Sequence, residues 1–215
     1  MIIGDVFIMF VNRIKEKFGI NEPIFTEDIL NLFPEYSRAY VFRLIKDTEK
    51  SGELVKFAKG IYYLPRKTFY GISTITADSV IERRYLNWDN DVFGIYSGLK
   101  LMNLFSVTTQ VPNVIEVVTN NETTRCREIN LDGRKFILRK SRLQINKDNA
   151  DTYMILQLFS DLESNVNLDE FAKQRLIEYM QDKRISQKQL LSLAINFPAR
   201  TMKKLIGSGI LNEVA

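Results

Sequence analysis

Apolar residues recur at helical spacing through the first part of the chain. Between residues 1 and 18 they fall at three- and four-residue intervals with charged side chains between them, which predicts an amphipathic helix. Pro23 ends that segment. A second, short helix is predicted over about residues 26–33, with Thr26 as its N-cap and acidic residues in its first turn.

A third helix is predicted after a break at Pro34. Ser37 can cap its first turn, and the helix runs to about Lys50 before Ser51 and Gly52 end it. Its inward stripe is predicted to consist of four residues at helical spacing: Val41, Leu44, Ile45 and Thr48.

A β-hairpin is predicted directly after the third helix. Two β-prone runs, 54–57 and 61–64, flank a turn at Lys59 and Gly60, and Pro65 closes the segment. Three helices followed by a two-stranded hairpin is the order of a winged helix-turn-helix. We therefore predict that residues 1–68 form a DNA-binding domain of that kind.

The pattern after the hairpin predicts a second, α+β domain over residues 69–215. Its sequence shows helical spacing in two early segments, a strand, a hairpin turning at Asp132 and Gly133, and a helical C-terminal tail. The predicted helices cover 78–86, 97–106, 148–162, 168–182, 186–194 and 198–206, and the predicted strands cover 112–120 and the arms of a hairpin over 124–142. The segment around 186–211 resembles 26–54, so it forms either a second helix-turn-helix or a plain helical hairpin that completes the core.

Composition argues against several chemistries. The chain has no histidine and one cysteine, Cys126, so it lacks the usual general base, the Ser-His and Cys-His pairs, and the ligands of a zinc site. It also has no phosphate-binding glycine motif, and we predict no catalytic residue, metal or cofactor. An enzyme would require a carboxylate cluster, for which the candidates are Asp78, Glu82, Asp89 and Asp91. A lone cysteine and the absence of a long apolar run predict a cytoplasmic protein without a membrane span.

Charge is unevenly distributed although the formal net charge is only +4. From Ser37 to Lys67 there are 8 basic residues and 3 acidic ones, a local +5. Such a cluster suits phosphate and base contacts to double-stranded DNA. The candidate DNA-binding residues are Ser37, Arg38, Tyr40, Arg43, Lys46, Lys56, Lys59, Arg66 and Lys67. Two alternatives are an ordinary solvated helix face and a protein-interaction module.

A second basic cluster lies on the predicted hairpin of the second domain. From Arg125 to Lys147 there are 8 basic residues and 2 acidic ones, a local +6. The cluster suits contact with an acidic protein or a nucleic-acid backbone. It equally suits an exposed strand edge that its charges protect against aggregation.

The central segment SGLKLMNLFSVTTQVPNVIEVVTN resembles the central motif of AbiEi-type antitoxins of abortive-infection toxin–antitoxin systems. The residues that carry the resemblance are Ser97, Gly98, Leu101, Leu104, Thr108, Thr109, Val111, Pro112 and the strand 114–119. GIYYLP, with Gly60 and Tyr62, is similar to the wing of that family, and the resemblance extends over roughly residues 5–160. Lys100 and Leu101 stand where the family usually has a serine or alanine pair.

The resemblance implies a repressor that binds inverted repeats in its own promoter and neutralises a nucleotidyltransferase toxin. The family has no fixed antitoxic motif, so our candidate surface is the basic hairpin, which suits an approach to the toxin's carboxylates. Its residues are Arg134, Lys135, Arg139, Lys140 and Arg142. Neutralisation in such systems need not involve direct contact. The alternative is a ligand-responsive winged-helix regulator unrelated to a toxin.

Overall fold

The structure is a computed structural model that describes residues 2–69, 71–163 and 168–213. The chain divides into two compact units, Met1–Val80 and Ile81–Ala215, and each combines helices with β-sheet. The α+β class predicted from the sequence is confirmed. Within the described residues, no helix combines the length and the apolar character needed to cross a bilayer.

Three helices and a small antiparallel sheet build the first unit. The elements are α1 (Ile2–Phe18), β1 (Ile24–Phe25), α2 (Thr26–Leu32), α3 (Arg38–Ser51), β2 (Val55–Ala58) and β3 (Ile61–Tyr63). The predicted helices and the predicted hairpin are therefore confirmed. β1 was not predicted; it pairs with β3, so the sheet order is β1-β3-β2.

Apolar residues of the three helices pack together in the core of the first unit. Phe10 of α1 stacks on Phe33 with 4.6 Å between ring centroids, and both side chains are fully buried. Thr26 is the first helical residue of α2 and not its N-cap, so that prediction was wrong. The carboxylate of Asp28 instead accepts the backbone N–H of Phe25 (3.0 Å), while the N–H of Thr26 donates to the carbonyl of Gly60 (3.0 Å).

The chain after β3 remains part of the first unit as far as Val80. It forms a short ribbon of β4 (Lys67–Thr68) and β5 (Gly71–Ile72), followed by α4 (Ala77–Ile81). The backbone N–H of Arg66 donates to the hydroxyl of Ser73 (2.8 Å), and that hydroxyl bonds the side-chain amide oxygen of Asn21. Because these bonds tie the ribbon to the loop after α1, the first unit extends beyond the expected boundary at residue 68.

A four-stranded sheet and a set of helices make up the second unit. A π-helical turn (Glu82–Leu86) is followed by β6 (Asn87–Trp88), β7 (Asp91–Val92), β8 (Gly94–Ser97), α5 (Gly98–Leu104), β9 (Val114–Thr119), β10 (Cys126–Leu131), β11 (Arg134–Lys140), α6 (Ala150–Asp161), α7 (Glu170–Asp182), α8 (Gln187–Ala194), α9 (Ala199–Gly207) and a 3₁₀ turn (Ile210–Glu213). The predicted strand, hairpin and four tail helices are confirmed. The predicted helix over 78–86 is instead α4 followed by the π-helical turn, and β6, β7, β8 and the 3₁₀ turn were not predicted.

The four-stranded sheet has the order β10-β11-β9-β8, with β9 and β11 parallel and the other pairs antiparallel. Successive side chains alternate between its two faces. Ile95 and Val118 lie on the face that joins the helical core, together with Leu156 of α6. Val117 and Leu138 lie on the opposite face, where both are fully buried.

Candidate nucleic-acid interface

α3 is a helix with well-defined ends. The hydroxyl of Ser37 accepts the backbone N–H of Tyr40 (3.3 Å), which satisfies one of the free N–H groups of the first turn. Gly52 ends the helix with φ of 75°, and its N–H donates to the carbonyl of Glu49 (3.1 Å). The predicted cap and stop are therefore confirmed, and the hydroxyl of Ser37 is engaged within the protein.

Three of the four basic residues of α3 occupy the side opposite its buried stripe. The stripe is the predicted one, consisting of Val41, Leu44, Ile45 and Thr48. Helical geometry places four exposed residues along the centre of the opposite side: Ala39, Arg43, Lys46 and Lys50. We call these the α3 row. The small side chain at Ala39 leaves room for close approach at the N-terminal end of the row.

Arg38 and the acidic residues of α3 flank this row. Arg38 is exposed in the first turn. Asp47 lies 3.8 Å from the ammonium of Lys50, an exposed ion pair that contributes little to stability. Glu49 is also exposed. The outward side of the helix therefore carries a surplus of positive charge.

Tyr40 positions the guanidinium of Arg43. The Arg43 guanidinium carbon lies 4.7 Å from the centroid of the Tyr40 ring, a cation–π arrangement. Tyr40 is half-buried and its ring meets the edge of Tyr36 at 5.0 Å. Contact with the ring restrains the guanidinium, whose N–H groups can donate to a base or a phosphate.

Phe42 is an exposed residue that the sequence interpretation missed. It lies on α3 between Arg38 and Arg43 and is 45% exposed. An apolar side chain on such a helix can contact the methyl group of thymine in the major groove. The signal was present in the sequence, because helical spacing puts Phe42 outside the stripe of Val41, Leu44 and Ile45.

Two lysines of the candidate site lie on the β2–β3 hairpin, and both Lys56 and Lys59 are exposed. The turn at Lys59 and Gly60 needs a glycine because Gly60 has φ of 74°, and its hypothetical Cβ would lie 3.3 Å from the hydroxyl oxygen of Thr26. The carbonyl of Gly60 accepts from the backbone and the hydroxyl of Thr26 (3.0 and 3.3 Å). The hairpin tip is thereby attached to the start of α2.

The last two candidates, Arg66 and Lys67, follow the hairpin and are exposed. The ammonium of Lys67 lies 3.0 Å from a carboxylate oxygen of Glu53. Its positive charge is therefore partly balanced within the protein. All nine predicted DNA-binding residues belong to the first unit, on α3, on the hairpin or just after it.

The basic cluster of the second unit differs from the α3 row because carboxylates lie 2.8 Å from three of its cations. Arg139 makes two hydrogen bonds to one carboxylate oxygen of Glu116 (3.0 and 2.8 Å), across the parallel strand pair. Burial disfavours the charged form of Arg139, but the bonds and the attraction from Glu116 outweigh it and raise its pKa. Lys135 pairs with Glu128 at 2.8 Å.

The other residues of this cluster have mixed surroundings. Arg142 lies over the ring of Phe197 with 5.4 Å to its centroid, and Arg134 and Lys140 are exposed. Arg127, on β10, pairs with the buried carboxylate of Glu122 at 2.8 Å. The candidate antitoxic surface is therefore less positive than its count of basic residues indicates.

Gly98 of the sequence motif has a structural explanation. Gly98 has φ of 59°, and a Cβ there would lie 2.7 Å from a carboxylate oxygen of Glu116. Its N–H donates to Asp161 (2.9 Å), which also accepts from the side chain of Gln157 (2.7 Å). Burial raises the pKa of Asp161. The glycine is required because the start of α5 passes close to charged side chains.

The acidic residues considered for catalysis do not form a metal-binding cluster. Within the ranges that the structure describes, no group of three or more Cys, Asp or Glu side chains is arranged to hold a metal ion. Glu82 accepts a hydrogen bond from the hydroxyl of Tyr96 (2.7 Å), and burial together with Glu82 raises the pKa of Tyr96. Cys126 is an exposed free thiol.

No protein-family model matches the chain, and no curated protein matches it. The resemblance to AbiEi-type antitoxins therefore remains a prediction from the motif around Ser97 and Gly98. The feature of the chain that bears most directly on function is the α3 row.

Proposed function

We propose that this protein binds double-stranded DNA through α3 and the β2–β3 hairpin. The observation that carries the proposal is the α3 row, in which Arg43, Lys46 and Lys50 are exposed opposite the buried stripe of a capped helix. A helix of this kind fits the major groove, where the donor and acceptor pattern of each base pair is accessible.

The arrangement of the first unit supports a winged helix-turn-helix. α2 and α3 are joined by residues 33–37, and α3 is followed by the hairpin whose strand β3 pairs with both β1 and β2. In a helix-turn-helix the second helix contacts bases with its N-terminal residues. The hairpin would act as the wing, with Lys56 and Lys59 at phosphates.

The exposed side chains suggest how the contacts are divided. Arg38 is the first residue of α3 and Arg43 lies in its second turn, and both would read guanine or contact phosphates. Phe42, between them, suits a thymine methyl group. Lys46, Lys56 and Lys59 suit phosphate contacts, which would make the affinity strongly dependent on salt.

A binding assay with the protein's own promoter tests the proposal. Fluorescence anisotropy would compare a duplex from upstream of the gene with a duplex of scrambled sequence. Arg38→Ala or Arg43→Ala should weaken binding to the promoter by about 1–3 kcal/mol if that residue reads a base. Lys188→Ala, at an exposed position of the second unit, is the matched control. Unchanged affinity in both α3 variants would remove this helix from the interface.

We further propose that the protein represses its own operon in the cytoplasm and neutralises a nucleotidyltransferase toxin. The motif resemblance supports this role, and the adjacent gene should encode the toxin. Lys140→Glu changes an exposed charge of the candidate antitoxic surface and avoids the Arg139–Glu116 pair. Cells that express the toxin with this variant should lose protection while promoter binding stays intact. Full survival would show that the hairpin is not the antitoxic surface.

A further inference from the structure

A cleft of about 720 Å³ lies among α6, α7 and α9 in the second unit. This volume falls within the range of roughly 300–1,000 Å³ that is usual for small-molecule sites. Its apolar part is formed by Phe159, Leu162 and Leu168. All three residues are buried, so they form the floor of the cleft, on which the apolar body of a ligand can lie.

Four basic residues line the same cleft. Lys173 comes from α7, and Arg200, Lys203 and Lys204 come from one side of α9. The three α9 positions fall together because residues three and four apart share a helix face. Opposite them on α9, Leu205 is fully buried in the helical core, so the helix turns its cations towards the cleft.

These cations are crowded in the free protein. Lys204 is half-buried and donates a hydrogen bond to the carbonyl of Leu162. Burial, followed by repulsion from Arg200, lowers the pKa of Lys204. An anion placed between these side chains would relieve that repulsion.

Glu170 is the one carboxylate in the described lining, and Asp161, outside that lining, also attracts Lys204. Glu170 pairs with Lys173 at 2.8 Å, and its side chain is 90% exposed. The carboxylate therefore lies at the solvent side of the cleft. Arg200 and Lys203 line the cleft beside the apolar wall, and Lys204 lines it while it bonds the carbonyl of Leu162.

We propose that this cleft binds an amphipathic anion, a small molecule that joins a sulfonate, carboxylate or phosphate group to an apolar body. Arg200, Lys203 and Lys204 hold the anionic group, and Phe159, Leu162 and Leu168 contact the apolar body. The site does not depend on DNA binding by the first unit. If its ligand changes promoter affinity, the protein is a ligand-responsive regulator.

The probe for this site is 1-anilinonaphthalene-8-sulfonate, a fluorescent amphipathic anion, titrated into the full chain. The matched neutral probe is N-phenyl-1-naphthylamine, which lacks the sulfonate. The test variant is Arg200→Gln with Lys203→Gln. The control variant, Lys147→Gln with Lys188→Gln, removes the same charge from two exposed positions of the same unit. Circular dichroism confirms that each variant is folded.

We expect saturable binding of one anionic probe per chain, weakened about tenfold or more in the test variant and unchanged in the control. The neutral probe should bind both variants alike. Decanoate should displace the anionic probe, whereas inorganic phosphate at the same concentration should not. Lys203→Gln alone, at an exposed residue where a substitution should change stability little, should give a smaller loss in the same direction.

Three results would overturn the proposal. Equal affinity of the test and control variants for the anionic probe would remove the α9 cations from the site. If inorganic phosphate displaced the anionic probe as effectively as decanoate, the cleft would be a site for simple anions. If a short DNA duplex displaced the anionic probe from the protein but not from the variant Arg200→Gln with Lys203→Gln, α9 would be a second nucleic-acid contact.

Discussion

Two basic regions of the molecule have almost the same net charge, but their charges are arranged differently. One is α3 with the β2–β3 hairpin, and the other is the region of the β10–β11 hairpin. The segment 37–67 has a local charge of +5 and the segment 125–147 has +6. On α3 the cations form an exposed row on one side of a capped helix. On β11, Lys135 and Arg139 face carboxylates at 2.8 Å.

From this difference we expect pairing, more than the count of basic residues, to decide whether a cluster can act on a partner. A cation that already contacts a carboxylate must give up that contact before it binds a phosphate. The Arg139–Glu116 pair is therefore expected to contribute mainly to the stability of the sheet. The α3 row is expected to contribute mainly to binding.

The largest expected effect comes from reversing charge in the α3 row. Arg43→Glu with Lys46→Glu should weaken promoter binding by about 3 kcal/mol or more, which is over roughly 100-fold, because two attractive contacts become repulsive. Fluorescence anisotropy measures the affinity, and thermal unfolding confirms that the variant is folded.

The matched reversal in the second unit is Arg125→Glu with Lys140→Glu, both at exposed positions. It should change promoter affinity by less than about threefold, since only long-range electrostatics is altered. A comparable loss in the two double variants would mean that total charge matters more than the α3 row, and the comparison would fail.

Much of the local structure could be predicted from the sequence because its signals are local. The cap at Ser37, the stop at Gly52 and the turn at Gly60 each follow from the preference of one residue type for one backbone position. The helices of the tail follow from the spacing of apolar residues along one face.

The missed elements depend on contacts between distant residues. β1 consists of Ile24 and Phe25, too short to show alternation, and it exists because β3 pairs with it. β8 was missed because Gly94 does not favour a strand. Gly94 is needed at this position because a Cβ there would lie 1.9 Å from the carbonyl oxygen of Tyr85. The Arg139–Glu116 pair requires the parallel register of β9 and β11, which no local pattern reveals.

Substitutions in the two clusters should affect stability in the reverse order of their effects on binding. Arg139→Met should lower the free energy of unfolding by about 1 kcal/mol, close to fivefold in the folding equilibrium, because a two-bond contact is lost at a half-exposed site. Lys46→Met in the α3 row should stay within about 0.5 kcal/mol. Urea unfolding measures both. In a double-mutant cycle with Glu116→Gln, a coupling energy near zero would show that the Arg139–Glu116 pair does not stabilise the sheet.

Salt dependence provides a smaller effect that is specific to phosphate contacts. Lys46→Gln should reduce the slope of log affinity against log salt by about 1, since one fewer counterion is released on binding. Lys135→Gln should leave the slope unchanged, because Lys135 already pairs with Glu128. Titrations at several salt concentrations measure both slopes, and an equal change in the two variants would contradict the difference between the clusters.

The smallest expected effect tests the role of pairing inside the proposed DNA interface itself. Lys59→Gln at the hairpin tip should weaken promoter binding roughly threefold through the loss of one phosphate contact. Lys67→Gln should weaken it less than about twofold, because Glu53 at 3.0 Å already balances part of that charge. Glu53→Gln releases Lys67 and should strengthen binding by a similar small factor. If Glu53→Gln weakens binding instead, the ion pair itself holds Lys67 in place for contact with DNA, and pairing would not reduce the contribution of a cation in this interface.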